Sequence, residues 1–307
     1  MPPDVIAIFG PTGVGKTEIA IELADLLHAD GRRPTAISAD AIAVYEGLDV
    51  LSAKPTPEQQ DRLEHRLISC VQVEEEFSAG RFAELAHAEI DGLLDSGRTP
   101  IVVGGTGLYL RAALTELDLR PPPDANMRAQ LEQELAEAGP AALHGRLSAA
   151  TAATVHPSDR KRIVRALELE TMGAQPHRGS DQLWSEDLRR PSVLFGIVMD
   201  RDEIAARIHA RVGEMVAGGA IEEVERAVER GASRTARKAL GFKEVEAYLA
   251  GAATLDQTRE RIERAHVAYS KRQLTWMRKL AAVEVLDRTG IGAADLAARI
   301  LAASETD

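Results

Sequence analysis

Residues 10–17 read Gly-Pro-Thr-Gly-Val-Gly-Lys-Thr, the spacing G-x-x-x-x-G-K-T, directly after the apolar run Val5-Ile6-Ala7-Ile8-Phe9. A helix-forming stretch, Glu18 to His28, follows. A strand, a glycine-rich turn and a helix in that order make a phosphate cradle. Successive backbone N–H groups point inward, the helix adds the positive end of its dipole, and Lys16 adds a full charge. Gly10, Pro11, Thr12, Gly13, Val14, Gly15, Lys16 and Thr17 are the candidate phosphate-binding residues. The chemistry is open at this point: the phosphate can be hydrolysed, transferred or lost as a leaving group. An ATPase or small-molecule kinase is the default, and it requires an aspartate closing a second apolar strand to organise magnesium. Ile101–Val103 ends in glycines instead, and Leu194–Met199 ends on Asp200, far down the chain. Asp40 closes the second strand, where small kinases often keep a base, so a kinase stays open on these residues.

Composition narrows the class. The chain of 307 residues is 45% hydrophobic, enough for a sizeable core with an insertion. No apolar run approaches a membrane span and no secretory signal is visible, so the expectation is a soluble cytoplasmic protein; a monomer is a separate expectation. The single cysteine, Cys70, excludes a disulfide or thiolate cluster within the chain and reads as a buried small side chain among Leu67, Ile68 and Val71. A net charge of −11 opposes non-specific nucleic-acid binding.

The elements that must position these residues alternate strand and helix over residues 1–118. Strands are expected at Val5–Phe9, Pro34–Ser38, Arg66–Val73 and Pro100–Val103, with a helix at Ser78–Ser96. From Arg120 the pattern turns purely helical: Ala125–Ala138, closed by Gly139-Pro140, then Ser158–Met172. Strand character returns at Val193–Met199. Helices follow at Glu203–Ala217, Ile221–Arg230 and Arg234–Leu249. A capping box, Thr254 to Gln257, opens a long helix to Leu280. A last strand at Val283–Leu286 and a short helix end the chain. The expected fold is α/β: a P-loop NTPase-like parallel sheet flanked by helices, built from 1–118 and 191–307, with an all-helical insertion at 119–190.

Several further segments, in order along nearly the whole chain, resemble the tRNA dimethylallyltransferases, isopentenyl transferases acting on the adenosine next to the anticodon. They are ISADAIAVYEGLDV (37–50) with SAKP (52–55), FSAGRF (77–82), VGGTGLYLRA (103–112), HPSDRKRIVRALE (156–168), ALGFKE (239–244) and YSKRQLTWMRK (269–279). The resemblance implies that the loop holds dimethylallyl diphosphate, whose diphosphate departs, with a magnesium ion held by Thr17. It implies Asp40 as general base for the N6 amine and Thr106 as a hydrogen bond near the bridging oxygen. By themselves Asp40 reads as a turn cap and Thr106 as a turn residue. Arg207 and Arg211, one helical turn apart, are candidates for the diphosphate.

The resemblance further implies a tRNA anticodon stem-loop as partner. The implied contacts are Asp40, Ala41, Ile42, Ala43, Arg128, Lys161, Arg162, Arg165, Lys238, Gly241, Lys243, Lys271, Arg272 and Gln273. Three basic groups carry this: Arg160 to Arg165; Arg234, Arg237, Lys238 and Lys243; and Lys271, Arg272, Arg278 and Lys279, interleaved with Tyr269 and Trp276. Taken singly, each reads as a solvated helix face. The chain departs from the family pattern at Ala41, Ser52, Ser69 and Ala265–Ala268. Three alternatives remain: a small-molecule kinase, a free-nucleotide (adenylate) isopentenyltransferase and a non-catalytic RNA-binding relative.

Overall fold

The computed structural model describes residues 3–117, 120, 124–174 and 181–305. The expected boundary at 118/119 lies outside them. Six strands form one all-parallel sheet in the order β3-β2-β4-β1-β5-β6. They are β1 (Val5–Phe9), β2 (Pro34–Ser38), β3 (His65–Arg66), β4 (Thr99–Gly104), β5 (Ser192–Val198) and β6 (Val283–Asp287). β1, β2 and β4 are buried along their whole length. That is why they read as unbroken apolar runs rather than alternating ones: helices cover both faces of a parallel sheet.

The register brings three strand ends together. Phe9 pairs with Gly104 on one side and Gly196 on the other, and Ser38 pairs with Val103. The loops leaving β1, β2 and β4 therefore emerge side by side at the carboxyl edge, where open α/β sheets bind their ligands. The Lys16–Ala29 helix buries Ile19, Ala20, Leu23, Ala24 and Leu27 and packs against the Ala293–Ser304 helix. The Ala79–Asp95 helix packs on Gly107–Leu114 through Phe82 and Tyr109, whose rings stack with centroids 4.4 Å apart.

Four expectations are corrected. The third strand is two residues long, because Leu67 and Ser69 adopt φ of 58° and 48° and turn the chain out of the sheet. That turn leaves Val71 buried and Cys70 exposed, so Cys70 is not a core residue; partial desolvation pushes its thiol pKa up. The helix from Ala125 runs to His144 across a kink at Gly139, φ 80°. Residues 234–249 are a short 3₁₀ turn, Ala236–Lys238, and a helix, Phe242–Leu249, joined by Gly241 at φ 99°.

Residues 118–182 form a separate compact unit. Its core is Leu131, Leu135, Leu143, Leu147, Ile163, Val164, Ala166 and Leu167. The unit ends short of the sequence boundary at 190, because the following residues belong to the sheet-containing unit. Trp184 packs on Trp276 with ring centroids 4.8 Å apart, and Arg189 and Arg190 both pair with Asp91.

Candidate active site

The phosphate loop is held by side chains from far along the chain. Gln273, on the Leu255–Met277 helix, accepts from Thr12 N at 2.8 Å and donates to Gly105 O at 2.8 Å. Its amide thus links the loop after β1 to the loop after β4. Gln273 is 4% exposed and both ends of its amide are spent on backbone, so it serves the loops and not an RNA surface. Arg211 reaches in from the Arg201–Ala217 helix, its Nη1 donating to Thr12 Oγ1 at 3.1 Å. Its Nε is buried with no hydrogen-bond partner among the described residues. Arg207, one turn earlier, lies beside Gly13, but its guanidinium pairs with Glu203 at 3.6 Å and is 37% exposed. The structure therefore brings Arg211 into the cradle and leaves Arg207 at its edge.

Lys16 Nζ donates to Pro11 O at 3.0 Å, folded back over the loop. Burial, and then the nearby Arg211 charge, lower its pKa from 10.5 to about 8, with Asp40 acting the other way. Burial likewise lowers Arg211, again opposed by Asp40. Two cations share a cradle that an anion would relieve. Thr17 is half-buried beside them, and among the described residues its hydroxyl makes no hydrogen bond.

Asp40 is a turn cap, as its type alone suggests: Oδ1 accepts from Ile42 N at 2.8 Å and Ala43 N at 3.2 Å. Among the described residues its second oxygen makes no hydrogen bond, so the same carboxylate keeps an acceptor in reserve. Thr106 stands against it. Thr106 N donates to Ala39 O at 3.3 Å, and Thr106 Oγ1 accepts from Ala41 N at 3.3 Å. The glycines around Thr106 are there for contact: a Cβ on Gly104 would lie 2.2 Å from Ala39 O, and one on Gly105 2.2 Å from Gln273 Nε2. Tyr269, one helical turn before Gln273, brings its hydroxyl to 3.4 Å from Thr106 Oγ1. Burial first, and Asp40's charge second, push that hydroxyl up to about 12, so it stays protonated as a donor. Tyr269 counted only as an aromatic among basic residues in the sequence; its i, i+4 spacing to Gln273 was the signal that both face one side.

The RNA candidates divide. Arg160, Lys161 and Arg162 are exposed at the first turn of the Arg160–Thr171 helix. Arg128 is not free for RNA: its guanidinium forms a two-pronged pair with Glu168, which is 0% exposed and also bonded by Arg165 at 3.0 Å. Lys238, Lys243, Lys271 and Arg272 are exposed, and Arg272 lies over the Tyr269 ring, 5.4 Å from its centroid. Gly241 is a turn residue packed on Leu51 and Ile262, and Ala43 is buried, while Ala41 and Ile42 are half-buried in the Asp40 turn. A groove of about 580 Å³ between the 201–217 and 255–277 helices, lined by Ile208, Glu263, Val267 and Lys271 among others, contains none of the cradle residues.

The departures from the family pattern are accommodated. Lys54 Nζ donates to Ser69 Oγ at 2.8 Å and to Asp49 Oδ1 at 2.5 Å, so Asp49 supplies the carboxylate that position 69 lacks. Glu223 caps that segment through Asp49 N, Val50 N and Leu51 N at 3.0, 2.8 and 2.9 Å. In the 265–268 stretch, His266 is buried against Ile262 O at 2.9 Å, and burial lowers its pKa.

The chain is similar to known proteins over nearly its whole length. A tRNA dimethylallyltransferase of Geobacter sulfurreducens is 39% identical over 292 residues, covering 91% of this chain and 90% of its own. One of Geobacillus kaustophilus is 37% identical, covering 95% and 93%. The crystal structure of a tRNA isopentenylpyrophosphate transferase from Bacillus halodurans superposes with a TM-score of 0.70 at 34% identity, covering 98% of this chain and 96% of its own. A eukaryotic dimethylallyltransferase acting on tRNA shares the fold, with a TM-score of 0.73 at 23% identity. The IPP transferase family model matches residues 43–280, and the chain belongs to that family.

Proposed function

We propose that the protein transfers the dimethylallyl group of dimethylallyl diphosphate to the N6 amine of the adenosine at position 37, 3′-adjacent to the anticodon, in tRNAs reading codons that start with U. The allylic C–O bond breaks, an N6–C bond forms, the N6 proton goes to Asp40 and diphosphate leaves. One observation carries this reading. The carboxylate with an oxygen to spare and the phosphate cradle flank a strand, β4, that ends in Gly104-Gly105 where a phosphoryl-transfer site needs an acid. The other acidic candidate is occupied: Asp200 caps the 201–217 helix through Asp202 N at 2.8 Å.

Each residue has a task in that reaction. The loop amides, Lys16 and Arg211 stabilise charge as it develops on the departing diphosphate, a task for preorganised donors. Thr106, held by its own N–H and braced by Tyr269, donates toward the bridging oxygen. Asp40 takes the proton of a weakly nucleophilic amine. Magnesium fits the donor set: among the described residues the Thr17 hydroxyl has no protein partner and no cluster of acidic or histidine side chains competes as a cage. Magnesium characteristically takes few protein ligands and completes its shell with phosphate oxygens and water, and when bound it would neutralise diphosphate charge. The anticodon stem-loop is assigned to the exposed basic residues at 160–162, 238, 243, 271 and 272. The target base must leave its stack to be reached.

The test is transfer of labelled dimethylallyl from its diphosphate to unmodified tRNA, with magnesium and without nucleoside triphosphate. One diphosphate should be released per adenosine modified, and AMP should be a poor acceptor. ATP turnover faster than prenyl transfer would restore the kinase, and AMP prenylation as fast as that of tRNA would make it the free-nucleotide enzyme.

A further inference from the structure

Arg288 follows β6 directly and lies beyond residue 280, where the family match ends. Its backbone N–H donates to Val198 O at 2.9 Å, which seats it beside the end of β5. From there its side chain, 3% exposed, runs under the phosphate loop. Nη1 donates to Val14 O, and Nη2 donates to Glu18 Oε2 at 2.7 Å. Nε is buried without a hydrogen-bond partner among the described residues. A buried guanidinium is electrostatically expensive, and its one ion-pair partner among the described residues, Glu18, is 53% exposed. A neutral donor would tie down one carbonyl at lower cost, so the charge itself calls for an explanation.

Peptide geometry supplies it. The Val14–Gly15 peptide is trans, so its C=O and N–H point in opposite directions. Drawing the Val14 carbonyl onto Arg288 turns the Gly15 N–H to the other side of the loop, as an anion-binding nest requires. Gly15 takes φ 80°, and a Cβ built on it would lie 1.7 Å from Arg288 Nη1. Glycine is thus required here twice, by backbone and by the guanidinium that fills the side-chain space.

We propose that Arg288 is a positioning residue of the diphosphate site, clamping the Val14–Gly15 peptide with its N–H toward the ligand and placing a fixed positive charge behind the cradle. The proposal rests on the reading of the loop as a diphosphate cradle. It makes the 283–304 segment part of the leaving-group site and not merely a closing strand and helix.

The experiment measures inorganic diphosphate binding by calorimetry, with magnesium, alongside the KM for dimethylallyl diphosphate, the tRNA Kd and the melting temperature. Wild type, Lys16→Ala, Arg288→Met, Arg288→Lys and Glu18→Gln are compared. Arg288→Met should weaken diphosphate binding and raise the KM by about 10–100-fold, the usual range for a charge-assisted hydrogen bond, while the tRNA Kd stays put. Arg288→Lys should recover part of the loss, since it keeps the charge but not the two-pronged reach. Glu18→Gln alters an exposed side chain, does not threaten folding, and should weaken diphosphate binding a few-fold by releasing one arm of the guanidinium. If wild-type binding depends on Lys16 but neither Arg288→Met nor Glu18→Gln changes it, Arg288 is only a structural tie and the proposal falls. Should Arg288→Met fail to fold, Glu18→Gln alone decides. If wild type binds no diphosphate, or binds it regardless of Lys16, the reading of the loop itself fails and the proposal goes with it.

Discussion

The cradle at residues 10–17 and the first turn of the 160–171 helix are both cationic, and they carry charge in opposite ways. Around the cradle Lys16 and Arg211 are half-buried and Arg288 is buried beneath the loop, and each is bonded to loop backbone or side chain at 3.1 Å or closer. On the 160–171 helix Arg160, Lys161 and Arg162 stand in solvent, and Arg162's ion pair with Asp159 is 3.5 Å long with the arginine 75% exposed. They also sit at a helix N-terminus, where the dipole disfavours cations. The enclosed set suits a small anion that must be gripped in one geometry while its charge changes. The exposed set suits a polyanion held by number of charges. Arg128 marks the boundary between the two: basic in sequence, yet spent on buried Glu168.

The largest effects should fall where geometry is fixed. Asp40→Asn keeps an oxygen to accept from Ile42 N and Ala43 N but removes the base. Transfer should slow by roughly two to four orders of magnitude with the melting temperature unchanged. Asp40→Ala should lose as much rate and also about 0.5–1.5 kcal/mol of stability with the turn cap. A loss below tenfold for Asp40→Asn in single-turnover assays would remove Asp40 from the role. Arg128→Ala should cost about 3 kcal/mol of stability in the 118–182 unit, because it leaves a buried carboxylate underpaired. A stable Arg128→Ala variant with weakened tRNA binding would instead move Arg128 among the RNA contacts.

Neutralising Arg160, Lys161 and Arg162 together to glutamine should lower tRNA affinity about 100-fold near physiological salt and flatten the salt dependence, without touching diphosphate binding. An unchanged salt slope would mean that the tRNA uses another face.

How much of this was legible depended on sequence distance. The loop Gly10–Thr17, the strands on either side of it and the cap at Thr254 are local patterns, and each was read directly. The third strand was misread because Leu67, Ile68, Val71 and Val73 imitate a strand, while the positive φ at Leu67 and Ser69 leaves no signature in residue type. Gln273 was misread because its neighbours Lys271 and Arg272 are basic; its partner Thr12 is 261 positions away, and nothing in either segment announces the pairing. Arg288 was invisible for the same reason, a single arginine after a strand. Asp40 was legible as both cap and base, and its geometry accommodates both.

The smallest effect separates the two regions by stability. With Lys16 lowered to about 8 from 10.5, the unfolded chain binds more protons than the folded one between those values. Wild-type stability should therefore rise as pH climbs from about 8 to 10.5, since an enclosed charge is being discharged. Below pH 8 that charge is a standing cost. Lys16→Met should thus stabilise the unliganded protein at pH 7 by about 1–2 kcal/mol, a figure below the full shift because Lys16 is only half-buried, and the gain should fade toward pH 10.5. Neutralising the exposed 160–162 cations should change stability by about 0.5 kcal/mol or less and show no such window. The measurement is thermal unfolding of each variant without ligand across pH 7 to 10.5. A Lys16→Met protein less stable than wild type at pH 7 would mean that the lysine is paid for within the empty loop, and that the cradle is not waiting for an anion.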